Sequence, residues 1–136
     1  MTVYVLDASA LIRYIDNEPG ADRVEAIIKD CIAGRADVSV STIQWGEVAG
    51  NVRKRFGGQR EERVMRKLLP SEAEIVPATR ERAVRAADIK VDRKISYADA
   101  FALELAMQSA EHVLVTADYG FKAVDDLAKI EFLPTK

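Results

Sequence analysis

Residues Ile95 to Phe121 read ISYADAFALELAMQSAEHVLVTADYGF. Ser96, followed three residues later by Asp99, has the form of a helix N-terminus: a hydroxyl cap with an acid in the first turn. The helix predicted from it runs from Tyr97 to about Gln108. It is almost wholly apolar, with Glu104 and Gln108, one turn apart, as its polar stripe. At about 100° per residue Asp99 lies roughly 140° from Glu104, on the side of Ala102, Leu103 and Ala106, and so toward the interior. A carboxylate there is costly unless it is paired, protonated or bound to a cation. Val113-Leu114-Val115 is then a short apolar run of the kind found in strands buried on both faces. Thr116-Ala117-Asp118 stands at its carboxyl end, where open parallel sheets bind ligands.

The same alternation extends outward in both directions. Val3-Tyr4-Val5-Leu6 reads as a central strand with Asp7 at its carboxyl end, and Ala8-Ser9 leads into a helical pattern through Ile15. Asn17 to Gly20 is a turn. Val24, Ile27, Ile28, Cys31 and Ile32 share one face of a second helix, and Val38-Ser39-Val40-Ser41 is the next strand. Thr42 opens a helix marked by Trp45, Val48, Ala49, Val52 and Phe56, which Gly57-Gly58 ends. Gln59 to Leu69 is a further helix stopped by Pro70, Glu74-Ile75-Val76 a short strand, and Thr79 the cap of a helix from Arg80 to about Lys90. Asp125 to Ala128 is expected to add a helical turn, and Ile130 to Leu133 a last edge strand ended by Pro134. Strands alternating with helices predict a three-layer α/β/α sandwich around a mostly parallel sheet. No repeat or linker divides the chain, so residues 1–136 are expected to form a single domain.

Hydrophobic residues make up 49% and charged residues 31% of the 136, which suits a globular chain and argues against disorder. The net charge of −2 predicts no overall basic surface, so any basic patch must be local. One histidine, His112, and one cysteine, Cys31, leave too few ligands for a structural zinc site and rule out two-histidine acid–base catalysis within one chain. No apolar run approaches the ~20 residues of a membrane span, and the N-terminus lacks a signal-peptide pattern, so no membrane association and a cytoplasmic location are expected. Any catalysis must rest on carboxylates, hydroxyls or cationic side chains.

Taken singly, each acid has a plain structural explanation. Asp7 can be an Asx turn or helix cap, Asp99 a capping-box acid, Asp118 a turn residue and Glu47 a solvated boundary residue. Together they form a pattern. Asp7 and Asp118 end strands, Glu47 lies just past the end of another, and Asp99 starts a helix, so all four are expected at one edge of the sheet. Two unit charges about 4 Å apart repel by ~4 kcal/mol at an effective dielectric near 20. A hard divalent cation with oxygen ligands, Mg²⁺ or Mn²⁺, relieves that repulsion and keeps waters for a phosphate substrate. Ser9 and Thr116 would add hydroxyls, and the set suits metal-assisted attack of water on a phosphodiester.

VLDASALI, STIQWGEV, ISYADAFALELA and VLVTADYGF resemble, in order, the four signature segments of PIN-domain ribonucleases, each with its acid in place. The similarity is strongest to the small toxins of VapBC toxin–antitoxin systems. The resemblance implies a Mg²⁺- or Mn²⁺-dependent endoribonuclease, a homodimer, held inactive by a cognate antitoxin. It assigns metal binding and catalysis to Asp7, Glu47, Asp99 and Asp118, with Ser9 and Thr116 in support. Gly46 and Gly50 flank Glu47 and weaken its helix by roughly 1 kcal/mol each relative to Ala.

A second feature is Asn51 to Lys67, with seven basic and two acidic residues in a chain of net charge −2. Its plain reading is a pair of solvated helices with internal ion pairs. Because it follows the helix of Glu47, phosphate contact by Arg53, Lys54 and Arg55 is the functional expectation, and an acidic antitoxin segment could use the same surface. Arg80, Arg82 and Arg85 read as a surface stripe. Other phosphate-handling folds fit less well. A receiver domain needs an acid where Ser41 stands, and a haloacid-type phosphatase needs one at Ser9. The alternative from a different class is a non-catalytic PIN-like module that binds RNA or protein.

Overall fold

The computed structural model describes the whole chain, Met1–Lys136. Five strands, β1 (Val3–Leu6), β2 (Asp37–Ser41), β3 (Glu74–Val76), β4 (His112–Thr116) and β5 (Lys129–Phe132), form one sheet in the order β3-β2-β1-β4-β5. Every pairing is parallel. Parallel neighbours need crossovers, and the helices supply them. They are α1 (Ala8–Ile15), α2 (Ala21–Ile32), α3 (Thr42–Phe56), α4 (Gly58–Lys67), α5 (Arg80–Arg93) and α6 (Tyr97–Ala106).

Strand alternation divides the core in two. Leu6, Val38, Val40 and Val115 pack with Leu11 of α1, Val24 and Ile27 of α2, and Val48 and Val52 of α3. Their neighbours Val5 and Leu114 pack with Ala102, Leu103 and Ala106 of α6. Both faces of the central strands are therefore covered, which is why those strands read as unbroken apolar runs. The three-layer α/β/α sandwich expected from the pattern is the observed architecture.

Gly57 separates α3 from α4 at φ 89°, a left-handed conformation that glycine adopts without Cβ strain. Gly20, the N-cap of α2, has φ 96°, and a Cβ there would come within 2.9 Å of Leu133. The C-terminal segment thus packs directly on this turn. By contrast, a Cβ at Gly46 or Gly50 would meet nothing within 4 Å, so internal packing does not call for glycine at either position.

Three expectations are corrected. The helical turn after β4 is a 3₁₀ turn at Tyr119–Val124, not at Asp125 to Ala128, because Asp118 caps it by accepting from the Gly120 N–H at 2.8 Å. Helix α6 ends at Ala106, two residues before Gln108. Glu104 is 2% exposed rather than the start of a solvent stripe. Arg82 and Arg85 of α5, read as a surface stripe, keep 23% and 51% of their side chains exposed and still close over it at 2.7 and 2.9 Å, and Gln108 donates to the same carboxylate. The polar side of α6 is turned to α5, not to water.

Candidate metal centre

The strand order reverses direction at β1 and β4, and a ligand crevice is expected beyond the carboxyl ends of the two strands that flank such a switch. Leu6 pairs with Val115 in register, so Asp7 and Thr116 come level at that edge. Asp7 is the N-cap of α1. Its Oδ1 accepts from the Ala10 N–H at 2.9 Å and the Ser9 hydroxyl at 2.7 Å, and its Oδ2 from the Thr116 hydroxyl at 2.5 Å. Asp7 is thus the helix cap of its plain reading.

The two hydroxyls are held in turn. Ser9 Oγ accepts from the Ala117 N–H at 2.9 Å, and Thr116 Oγ1 from the Asp118 N–H at 2.9 Å. Each hydroxyl has one proton, and with backbone donors on its oxygen that proton is directed to Asp7. Three donors thus favour the ionised carboxylate. Burial opposes them and prevails: Asp7, 2% exposed, is pushed up to about 6, with a smaller push from the charge of Asp99. Three hydrogen bonds leave one of the carboxylate's roughly four lone-pair positions without a protein partner.

Asp99 lies in the first turn of α6, where the Ser96 hydroxyl caps the helix by accepting from the Asp99 N–H at 3.1 Å. Its carboxyl is half-buried and raised, chiefly by burial, with the charge of Asp118 adding to the shift. Glu47, on the exposed side of α3, is raised by burial and by Asp99. Asp99 is therefore the common neighbour: Asp7 and Glu47 respond to its charge, and it responds to Asp118. The acids border one edge, yet no three His, Cys, Asp or Glu side chains close around a point as a finished ion-binding cluster would. The largest cavity, about 660 Å³, lies at the opposite end of the sheet against His112 and Lys129. None of the four acids lines a cavity, so their edge is open rather than enclosed.

One residue that sequence reasoning passed over ties the acid-bearing elements together. Gln44, in the first turn of α3 and 2% exposed, accepts from the Ala8 N–H and donates to the Ala98 carbonyl, both at 2.7 Å. A single amide thereby spans the segments carrying Asp7, Glu47 and Asp99. Its only signal in the sequence is a polar residue where the helix period calls for an apolar one, between Trp45 and Val48 and the strand before them.

The donor set suits a hard divalent ion: oxygen only, with no thiolate or imidazole nearby. Eleven ion pairs fasten this molecule, and none includes Asp7, Glu47, Asp99 or Asp118. The expected phosphate-contact residues fare differently. Arg55 makes a two-pronged contact with Asp16 at 2.8 and 2.9 Å, and Arg53 pairs with Glu61 at 3.3 Å. Lys54 is exposed and in none of these pairs, as are Arg60, Arg63 and Lys67 of α4.

A comparison with curated proteins finds no match. Solved structures do match in fold. The chain resembles VapBC2 from Rickettsia felis bound to a DNA fragment from its promoter, with a TM-score of 0.72 and 18% identity over 98% of this chain and 100% of that one. It resembles DNA-bound VapBC from Salmonella typhimurium, with a TM-score of 0.73 and 20% identity over 97% and 98%. It also resembles the sarcin-ricin loop cleaving toxin VapC20 of Mycobacterium tuberculosis, with a TM-score of 0.64 and 17% identity over 89% and 94%. The PIN domain family model matches residues 4–127, which take in all four acids. By that match, and with the parallel sheet and acid-lined switch point that accompany it, the chain belongs to the PIN-domain family.

Proposed function

We propose that this chain is a divalent-metal-dependent endoribonuclease that hydrolyses RNA phosphodiesters, and the toxin of a VapBC-type toxin–antitoxin pair. One observation carries the reading. The shielded acids Asp16, Asp30, Glu61, Glu104 and Glu131 each have an arginine partner, whereas Asp7 and Asp99, shielded as well, and the exposed Glu47 and Asp118 at the same sheet edge have none. Uncompensated carboxylates in one place call for a cation from outside the chain.

Asp7, Glu47, Asp99 and Asp118 would hold Mg²⁺ or Mn²⁺. A divalent ion bound there supplies charge neutralisation at the scissile phosphate and a water of lowered pKa. Ser9 and Thr116 orient Asp7 and favour its ionised form. Gln44 keeps the segments of Asp7 and Asp99 at a set spacing. Lys54 and the exposed bases of α4 contact RNA phosphates. Arg53 can join them by giving up an exposed pair worth at most about 1 kcal/mol. Arg55 instead fastens α3 to the end of α1. Assembly as a homodimer under a cognate antitoxin, in the cytoplasm, completes the reading; the VapBC structures the chain resembles support the antitoxin.

The test is purified protein with total RNA in Mg²⁺, Mn²⁺ or EDTA. Cleavage is expected with either metal and not in EDTA. Asp7→Asn and Asp99→Asn should each lower it by orders of magnitude with the fold intact by circular dichroism. Full activity in EDTA, or in both variants, overturns the mechanism. Binding without cleavage under every condition returns the chain to the non-catalytic module.

A further inference from the structure

Tyr119 follows Asp118 directly and remains 37% exposed, although the 3₁₀ turn it begins is already anchored by Phe121 and Val124, at 2% and 0%. Its ring lies nearly parallel to that of Phe132, with an interplanar angle of 8° and centroids 5.1 Å apart. Its hydroxyl donates to the Leu133 carbonyl at 2.6 Å, so the ring plane is set before any ligand arrives. Phe132 pairs in register with Thr116, whose hydroxyl holds Asp7. The stack is thus one residue from Asp118 in sequence, and Phe132 lies on the strand next to the one that carries Thr116, neighbouring strands being about 4.8 Å apart. Lys122 Nζ stands 5.0 Å from the Tyr119 centroid and 5.8 Å from that of Phe132. Lys122 is exposed and belongs to none of the ion pairs.

We infer that Tyr119, backed by Phe132 and flanked by Lys122, is a stacking platform for an unpaired nucleobase next to the phosphodiester held at the acids. The inference rests on the nuclease reading for its substrate and uses no residue of the metal set. An aromatic face beside a free cation is the usual means of holding single-stranded nucleic acid, and stacking one base gains roughly tenfold to a hundredfold in affinity. A duplex keeps its base faces in its own stack, so the platform selects loops, bulges and ends of RNA. Lys122 meets the phosphate beside the stacked base.

The test is fluorescence anisotropy of labelled single-stranded RNA oligomers, intact or with one abasic nucleotide moved along the chain. The full-length protein carries Asp99→Asn to suppress cleavage. In that background Tyr119→Leu should weaken binding about tenfold and abolish the penalty of one particular abasic position. Tyr119→Phe and Tyr119→Trp should retain both, which separates the ring from the Leu133 hydrogen bond. Lys122→Gln should flatten the dependence of log K on log salt by about 0.7. Folding of each variant is checked by its melting temperature. Binding by Tyr119→Leu within twofold of its parent, or the same abasic profile in both, overturns the platform. So does the absence of any RNA binding by the parent. The two readings fail separately: an otherwise unsubstituted chain that cuts RNA whether position 119 is Tyr or Leu refutes the platform alone, and one that binds through Tyr119 yet cuts nothing refutes the nuclease alone.

Discussion

At the scale of single residues, Asp7 shows how one side chain can be well hydrogen-bonded and still strained in its charge. Its three donors stabilise the carboxylate, but removal from water costs more, and the group is raised from the ordinary 3.8 to about 6. An acid raised on folding binds its proton more tightly in the folded chain than in the unfolded one, so stability falls as pH rises between those two values. The penalty is absent below about pH 4 and complete above about pH 6, and two units correspond to about 3 kcal/mol. Asp99 and Glu47 are raised too and act in the same direction. Asp16, held low by Arg55, acts oppositely, with stability lost as pH falls through its range. In EDTA the protein should therefore gain stability to urea when the pH is lowered from 7 to 5, and Asp7→Asn should flatten that gain. Equal slopes for wild type and Asp7→Asn would remove Asp7 as the source.

At the scale of elements, two helix pairs carry charge in opposite ways. Between α5 and α6, Glu104 is buried against Arg82 and Arg85. Only the carboxylate of this set is buried, since Arg82 and Arg85 keep 23% and 51% of their side chains exposed, so losing the arginines leaves the costly charge uncompensated, at about 3–5 kcal/mol. Replacing both, Arg82→Ala with Arg85→Ala, should lower stability in urea by that order, whereas Glu62→Ala, which breaks the exposed pair with Arg66, should cost under about 0.5 kcal/mol. Similar losses for the two would mean that the α5–α6 lock is ordinary surface pairing. On α3, the bases expected to act alike are separated by their partners. Lys54→Gln should reduce the salt slope of RNA binding by about 0.7 without moving the melting temperature. Arg55→Gln should lower the melting temperature by freeing Asp16. The reverse assignment would place the phosphate contact on Arg55.

At the scale of the molecule, the order β3-β2-β1-β4-β5 gathers acids from positions 7, 47, 99 and 118 at one open edge. A polymer can lie across such an edge. Without a cation the acids only repel one another, so the site strains the fold that holds it. A metal that binds the folded edge and not the unfolded chain should stabilise by about 2.7 kcal/mol at a hundredfold excess over Kd, a melting shift of roughly 10 °C in a domain of this size. Asp99, the common neighbour, gives the sharpest variant. Asp99→Asn should melt higher than wild type in EDTA and shift less with Mn²⁺. If it melts lower in EDTA and keeps the full metal shift, Asp99 is a helix-capping acid and the shared site is wrong.

The sequence by itself determined the elements, the parallel three-layer architecture and the positions of the acids. Hydrophobic period reports which side of a segment is apolar, and acids at strand ends stand out against apolar runs. It also placed Ser9 and Thr116 beside the acids, since each follows or precedes one by two residues. Only the tertiary structure decided what each polar side met. Periodicity turns Glu104 away from the sheet but does not say that α5 lies there with two arginines. Arg55 and Lys54 are neighbours in a basic run, and only the end of α1 reaching one of them makes it structural. Gln44 is one amide in a helix until the chain brings Ala8 and Ala98 to its two ends. Tyr119 gains a backing ring because β5 returns beside β4. A local pattern records the free energy of one segment against water, whereas these contacts form between segments far apart in the chain, whose proximity is set by the order of strands in the sheet.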